Sequence, residues 1–507
     1  MKRSQLANAQ LLSVSCRTCG VAAGMRCVMY SGGYRSGPHA ERTPNTLKSS
    51  VLLPRSNYLF ERKRHANTPG EYLATLLKSD LVRAFHRKLP AMKQGLRLLG
   101  ILALVASCIL AGTLAQPVTK EIVWVASWGA SQQIPEPHNA LPSDDLRDAT
   151  VRQIFHLSAG GPAVRVFVSN AFGIEALHFT SVHIARAVSP SSSAIDVASD
   201  RPLTFAGAAD VKVPAGAEFV SDPLEFAVTP LSDVVVTFYL EVPPSRETGH
   251  PGSRATSYYQ HGNAVSMANL TDAKQVDHWY QISEIDVQVA AGAGTVVALG
   301  DSITDGHGTT TNGNDRWTDV LAQRLQGSPD TRNVGVSNQG IGGNHLLTDG
   351  LGPNALARFD RDLLGPAGVR WVIVFEGVND LGGLVRDGEV SAAEHAVRVQ
   401  QVLSAYRQII ARAHAHSLRV YGATITPYVG STYYHPGPSS ESDRRAVNQW
   451  IRGAGHFDAV IDFDSVLRDP EHPDRLWPGY DCGDHLHPSP AGYKAMGNAV
   501  PLALFAQ

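Results

Sequence analysis

The sequence is poor in charge and in cysteine, and both shortages restrict what the protein can be. Charged residues make up 18% of the 507 residues and hydrophobic residues 43%, whereas disordered chains combine low hydrophobicity with high net charge. The chain therefore has enough apolar material for a sizeable folded core. At about 150 residues per domain, its length predicts two or three domains.

Basic residues are concentrated near the N-terminus. Residues 1–91 hold 15 Lys and Arg against four acids, which leaves 29 basic and 42 acidic residues for the rest of the chain. A basic arm can bind nucleic acid or anionic lipid. However, Met92 then opens a second start signal, with two basic residues before an uncharged stretch from Leu98 to Leu114. This pattern is typical of a signal peptide cleaved after Ala115.

We therefore predict that residues 92–115 are a signal peptide and that the protein is secreted or periplasmic. Because a signal peptide lies at the true N-terminus, residues 1–91 are predicted to be a non-native or disordered extension. The alternative is an uncleaved membrane anchor, since the apolar stretch is near the lower length limit for a spanning helix. After cleavage we expect no stable membrane span.

The remaining residues, 116–507, are acidic and almost free of cysteine. They contain 27 basic and 42 acidic residues, without the clustered Lys and Arg that bind phosphate. We therefore expect no nucleic-acid partner. Cys482 is the one cysteine in this range, so an exported form would have no intrachain disulfide and would depend on its packed core.

Residues 116–292 are predicted to form an antiparallel β-sandwich, jelly-roll-like domain. Val164–Val168, Asp233–Leu240 and Ile285–Val289 show the period-two alternation of strands, with loop-length spacing and no long amphipathic helix between them. Several such strands in succession favour a sandwich or jelly roll over parallel βαβ units.

Residues 293–507 show a different pattern, in which short apolar strands alternate with amphipathic helices. This alternation predicts a flavodoxin-like α/β/α domain with a parallel sheet, whose site lies at the carboxyl ends of the strands. The predicted strands are 296–299, 333–336, 371–375, 420–423 and 460–461, and the predicted helices are 317–325, 392–415, 443–451 and 491–499.

Polar residues with catalytic potential follow the first strand and precede the last helix. Gly300-Asp301-Ser302 follows the first strand, and Asp484 lies three residues before His487 near the C-terminus. A serine hydroxyl becomes a good nucleophile when an imidazole removes its proton, and a carboxylate fixes the tautomer of that imidazole. Taken separately, each segment is equally typical of a helix cap or a loop.

Two other predicted strand ends supply hydrogen-bond donors. One is the glycine-rich segment 338–344, which includes Gly343, and the other is the segment 376–380, which includes Asn379. Glycine allows backbone N–H groups to approach a ligand closely, and an Asn amide is a neutral donor. Each such donor can stabilise the oxyanion of an ester-hydrolysis transition state by about 3 kcal/mol.

These four segments occur in the order and spacing of the SGNH/GDSL hydrolases, which residues 293–505 resemble. The resemblance implies a carboxylic ester hydrolase with Ser302 as nucleophile, His487 as base and Asp484 as the residue that orients His487. It also implies an oxyanion hole formed by the N–H groups of Ser302 and Gly343 and by the Asn379 amide.

The β region resembles the accessory domain of a secreted, two-domain branch of this superfamily that includes xylan and other carbohydrate esterases. Trp124–Trp128 and Val168–Gly173 carry that similarity. It implies that the substrate is a short-chain acyl ester, above all an acetyl ester on a polysaccharide such as acetylated xylan. Lysophospholipase, arylesterase or thioesterase activity is the alternative, since these enzymes share the catalytic residues.

We predict no cofactor and no metal. Cys482, Asp484, His485 and His487 could be interpreted as a metal cluster, but the esterase roles already use Asp484 and His487. The glycine-rich segment 306–313 lacks the Gly-Lys-Ser/Thr ending of a phosphate loop. The expected partner is therefore a small-molecule or polysaccharide ester.

Overall fold

The computed structural model describes residues 122–506. The predicted extension (1–91) and signal peptide (92–115) lie outside these residues. Within the described range, we find no helix that is both long and apolar enough to cross a bilayer.

Residues 122–290 fold into strands that pair antiparallel throughout this part of the chain. The strands are β1 Ile122–Gly129, β2 Ala149–His156, β3 Gly161–Ser169, β4 Leu177–Phe179, β5 Ser181–Ala187, β6 Ile195–Pro202, β7 Val211–Val213, β8 Glu218–Val220, β9 Leu224–Val228, β10 Asp233–Leu240, β11 Gly249–Pro251, β12 Ser257–His261, β13 Lys274–Val276, β14 His278–Tyr280 and β15 Ile282–Ala290.

Two larger sheets of this β region share one apolar core. The first has the order β13-β12-β2-β10-β5-β6, and the second has the order β1-β15-β3-β8, with β9 also paired to β3. Side chains from both sheets, such as Val151, Val166 and Ile285, are fully buried in the same cluster, as expected for strands with one apolar face. The prediction of an antiparallel β-rich region is confirmed, and its jelly-roll detail stays a prediction.

Strands and helices alternate from residue 295 onward. They are β16 Thr295–Gly300, α1 Ser302–Asp305, α2 Trp317–Gln326, β17 Gly335–Gly340, β18 Val369–Phe375, α3 Val378–Val385, α4 Ala392–Ala415, β19 Arg419–Ala423, α5 Pro438–Arg452, β20 Ala459–Ile461, α6 Phe463–Leu467 and α7 Pro490–Ala499.

The five strands of this α/β region form one parallel sheet in the order β17-β16-β18-β19-β20. Two separate apolar clusters cover its faces, one with residues of α3, α4 and α5 and the other with residues of α2, α6 and α7. This arrangement confirms the predicted α/β fold with a parallel sheet. It also brings the carboxyl ends of β16, β17 and β18 to one edge, where the polar segments follow.

Three elements differ clearly from those predicted. Helix α5 spans Pro438–Arg452 instead of 443–451, because Pro438 suits the first position of a helix. The second strand runs over Gly335–Gly340 instead of 333–336, because Gly335 to Gly340 pair residue by residue with β16. Glycine, serine and asparagine have little propensity for strands, but here they adopt an extended conformation because pairing with β16 outweighs that local preference. The segment after β18 is a helix, α3, whose first turn contains Asn379.

Candidate active site

Ser302 lies at the point where β16 ends and the chain turns into α1. The side chain of Asp301 caps this helix by accepting the N–H of Ile303 at 2.9 Å, which is the usual function of an N-cap aspartate. A Cβ atom on Gly300 would lie 2.1 Å from Thr304 Oγ1. The tight turn therefore requires glycine before the Asp-Ser pair and holds Ser302 at the edge of the sheet.

His487 lies between Ser302 and Asp484. Its Nε2 is 2.8 Å from Ser302 Oγ, and its Nδ1 is 2.6 Å from Asp484 Oδ2. Because an ionised carboxylate can only accept, Nδ1 carries the ring proton and Nε2 is free to accept the serine proton. The structure thus brings together the three residues that the sequence proposed, although they are up to 185 positions apart.

Asp484 is held as a carboxylate. Its Oδ1 accepts the backbone N–H groups of Leu486 and His487 at 2.9 and 2.8 Å. Burial by itself raises the pKa of the Asp484 carboxyl, but the bonds from the His487 ring and these N–H groups outweigh it and hold that pKa well below its usual range. A charged Asp484 can stabilise the imidazolium that forms when His487 takes a proton.

The three residues predicted to form the oxyanion hole, Ser302, Gly343 and Asn379, line one cavity. The N–H of Ser302 is in the first turn of α1, where no intrahelical acceptor exists. Gly343 has a φ of +65°, and a Cβ there would lie 3.2 Å from Leu351, so glycine suits this turn. One N–H of the Asn379 amide donates to Asn344 O at 2.7 Å, which leaves its second N–H for a ligand.

Tyr434 and Asp380 fix the orientation of these donors. The Tyr434 hydroxyl donates to Asn379 Oδ1 at 2.5 Å. This bond fixes which side of the amide carries the oxygen and which carries the N–H donors. The Asp380 carboxylate accepts the N–H groups of Leu346 and Leu347 at 2.8 and 3.1 Å. These bonds connect the loop after β17 to α3, and burial raises the pKa of Asp380 to about 6.

Arg358 is a fully buried connector behind the site. Its guanidinium donates to the carbonyl oxygens of Gly300, the last residue of β16, and Gln339, the residue before the last of β17. It also donates to acceptors that hold the neighbouring loops, namely Asn344 Oδ1, Ser131 Oγ, Asp362 Oδ2 and Glu376 Oε1. A planar group with five donors can satisfy such a converging set, which a lysine cannot do.

We expect Arg358→Ala to destabilise the protein by about 3–5 kcal/mol, because it removes the buried donor of the Glu376 side chain and of the carbonyl oxygens of Gly300 and Gln339. The matched control is Arg445→Ala, which removes an arginine that also pairs with a carboxylate four positions away but is largely exposed. For that variant we expect a loss of less than about 1 kcal/mol. Urea unfolding of both variants measures the difference, and equal losses would contradict the connector role.

The β region packs against the back of the catalytic helix. Nε2 of His250, in β11, lies 2.8 Å from Asp305 Oδ1, and Nδ1 of the same ring lies 2.8 Å from Ser131 O. Both contacts are hydrogen bonds. Both His250 and Asp305 are buried. The position of α1, and hence of Ser302, therefore depends on the β region as well as on the α/β region.

The cavity beside Ser302 has a volume of about 350 Å³. Its walls combine polar and apolar side chains, and Leu351 and Tyr433 are more than half exposed at its rim. The lining residues are Ser302, His307, Gly342, Gly343, Leu351, Asn379, Ser431, Thr432, Tyr433, Tyr434, Asp484, Leu486 and His487. This space is large enough for a small ester, with its carbonyl carbon near Ser302 Oγ.

Several residues of the site were missed by sequence reasoning. His307, Tyr434, Arg358 and His250 carry no motif, and each comes to the site through tertiary packing. A weak signal existed for His307, which lies five positions after Ser302 in the glycine-rich segment.

The two histidines of the possible metal cluster each bind a different aspartate. His485 binds Asp481 through Nδ1 at 2.6 Å, whereas His487 binds Asp484. Two groups of three nonetheless have potential ligand atoms within 4.8 Å of one another, namely His307 with Asp484 and His487, and Asp481 with Cys482 and Asp484. The absence of a metal stays a prediction.

The α/β region is similar to a known protein family. Residues 298–495 match the model of the GDSL-like lipase/acylhydrolase family. No curated protein sequence matches the chain significantly. The family match confirms the SGNH/GDSL resemblance and, with it, the prediction of a carboxylic ester hydrolase.

Solved structures of similar proteins cover about two fifths of this chain. A GDSL-like lipase from Bacteroides thetaiotaomicron is 18% identical with a TM-score of 0.30, over 41% of this chain and 87% of its own. An acetyl xylan esterase variant from Geobacillus stearothermophilus is 20% identical with a TM-score of 0.30, over 41% and 92%.

Proposed function

We propose that this protein is a serine esterase that removes short acyl groups, above all acetyl groups, from a polysaccharide such as acetylated xylan. The match of residues 298–495 to the GDSL-like acylhydrolases supports this proposal. The observation that carries the proposal is the hydrogen-bonded chain from Ser302 through His487 to Asp484, at the edge of a cavity that also contains three oxyanion donors. No step in it requires a cofactor.

The reaction proceeds through an acyl-enzyme. His487 takes the Ser302 proton as Oγ bonds to the ester carbon, and the oxyanion binds the N–H groups of Ser302, Gly343 and Asn379. The alcohol leaves with the proton from His487. Water then attacks the acyl-serine, with His487 accepting its proton and returning one to Ser302 Oγ, so that acid and free enzyme are released.

The rim of the cavity supports a carbohydrate leaving group. Tyr433 is 57% exposed and presents an aromatic face with a polar tip, a combination suited to half-apolar, half-polar ligands. Ser431, Thr432 and His307 add hydrogen-bonding groups around it. A sugar ring could use both kinds of contact while its acetyl group lies at Ser302.

Apolar side chains on the same rim favour a second candidate, an aryl or lipid esterase. Leu351 is 51% exposed beside Gly343, and Leu486 lies in the wall. These groups would bind an aromatic alcohol or a longer acyl chain through apolar contact.

Acetate release from acetylated xylan, measured beside a series of nitrophenyl esters of increasing chain length, tests the proposal. We expect acetate release and a preference for the acetyl ester, both absent in Ser302→Ala. Turnover that depends on Ser302 but rises with chain length, without acetate release, would move the function to the second candidate. Chelator in every assay tests the prediction that no metal takes part.

We further propose that residues 116–292 are an accessory domain that supports the catalytic region, and that the protein is exported. The contact between His250 and Asp305 supports the first proposal, and the signal-like segment 92–115 supports the second. N-terminal sequencing of exported protein checks the cleavage, for which we expect Gln116 as the first residue.

A further inference from the structure

A second histidine, His307, lies on the face of His487. The two ring centroids are 4.1 Å apart at an interplanar angle of 41°. The backbone of His307 is fixed at both ends, because its N–H donates to Ser302 O at 2.9 Å and its carbonyl accepts the Tyr493 hydroxyl at 2.6 Å. His307 is therefore held in place beside the catalytic residues.

An arginine of the β region determines which nitrogen of His307 carries the proton. Arg254 Nη2 is 3.0 Å from His307 Nδ1, and a guanidinium can only donate. Nδ1 must therefore accept, so an uncharged His307 carries its proton on Nε2. The Arg254 carbonyl accepts the N–H of Asn312 at 2.8 Å, which ties this part of the β region to the loop that follows His307.

The protonated nitrogen faces the catalytic carboxylate. His307 Nε2 is 3.8 Å from Asp484 Oδ2, the same oxygen that accepts the His487 Nδ1 proton. This distance is too long for a hydrogen bond, but an N–H dipole directed at a carboxylate attracts it across this gap. The contact favours one orientation of Asp484 relative to His487.

We propose that Arg254 keeps His307 uncharged and in its Nε2–H form, and that His307 thereby acts as a positioning residue for the Asp484–His487 pair. This inference rests on the proposed esterase function and assigns the β region a direct influence on catalysis.

The charges around His307 are consistent with this role. Burial lowers the pKa of His307 to about 4, with further lowering from His487 and Arg254 and an opposing effect from acidic neighbours. The titratable groups that face it are Arg254, His487, Asp484, Asp305 and Tyr493. A charged His307 would compete with His487 for Asp484 and would repel the imidazolium formed during catalysis.

The test is Arg254→Met in the full-length protein, assayed on nitrophenyl acetate from pH 5 to pH 9. Without the guanidinium, Nδ1 of His307 can take a proton as the pH falls. We expect kcat relative to wild type to fall about fivefold at pH 5 and less than about twofold at pH 9, with KM nearly unchanged. Burial and His487 still oppose a charge on His307, so the effect is confined to low pH, where an interfering charge on a neighbour acts on proton transfer.

His307→Phe supplies the second half of a double-mutant cycle, because phenylalanine retains the ring but cannot titrate. In this background we expect Arg254→Met to have no further effect at any pH. Arg201→Met is the matched control, since Arg201 is an exposed arginine of the β region that donates to carbonyl oxygens of its own strand, β6. We expect that variant to behave as wild type.

Equal effects of Arg254→Met with and without His307 would overturn the proposal, because Arg254 would then act through the fold. Imidazole ¹⁵N chemical shifts provide a readout that does not need activity, and wild-type His307 should show a proton on Nε2 at pH 6. A proton on Nδ1, or a charged ring, also overturns it. Should wild type hydrolyse no ester while His307 shows the expected form, the proposed function fails and the Arg254–His307 arrangement stands.

Discussion

Ser302→Ala is expected to lower kcat for ester hydrolysis by between about 10⁴-fold and 10⁶-fold, while the thermal midpoint stays near that of wild type. The hydroxyl is the atom that forms the acyl-enzyme, and His487 has no other proton to remove from that position. What activity remains would come from the oxyanion donors and from binding. Initial rates on nitrophenyl acetate measure the loss.

The matched control for this variant is Ser439→Ala. Ser439 lies exposed in the first turn of α5 and does not line the cavity, so the same atom is removed from the α/β region outside the catalytic chain. We expect its kcat to stay within about twofold of wild type, as for most surface substitutions. A folded Ser302→Ala protein with more than a tenth of wild-type activity would refute the nucleophile assignment.

Asp484→Asn is expected to lower kcat by about 10³-fold to 10⁴-fold, because it reverses the tautomer of His487. In the wild type, Oδ1 of Asp484 accepts two backbone N–H groups. In the variant, only the oxygen of the Asn amide can accept them, so it must take the place of Oδ1. The amide nitrogen must then face His487 Nδ1 and donate to it. His487 would carry its proton on Nε2 and could no longer accept one from Ser302.

A neighbouring pair provides an unusually close control for that variant. Asp481 accepts the N–H groups of Gly483 and His485 through Oδ1 and contacts His485 Nδ1 through Oδ2 at 2.6 Å. The bonding is therefore the same as at Asp484, but His485 does not contact the serine. We expect Asp481→Asn to retain kcat within about twofold, and a comparable loss in both variants would show that the loop, not the tautomer, is responsible.

Segments with a regular local pattern were predictable. The long helix α4 has the predicted bounds, because its apolar spacing is continuous and Ser391 with Glu394 forms a capping box at its start. The order of strands and helices from residue 295 onward was also apparent. Turn residues such as Gly300 were recognisable because their backbone requirements are local.

Segments shaped by distant partners were not predictable. β17 extends to Gly340 because it pairs with β16 along its length, and nothing in its own sequence requires an extended conformation there. Likewise, Tyr434 orients Asn379 from 55 positions away. Such contacts depend on how two elements pack, which residue periodicity does not encode.

The amino-acid sequence was thus sufficient for the class of the fold, because strand and helix periodicity is a local feature. Its four polar segments implied the reaction type and the proposed roles of Ser302, His487 and Asp484 through their resemblance to the SGNH/GDSL hydrolases. The tertiary structure was needed for everything that joins the two regions. Arg358, His250 and the Arg254–His307 contact bring together groups from separate sheets and loops. The strength of these hydrogen bonds depends on burial and on donor–acceptor distances of about 3 Å. Both exist only in the packed chain.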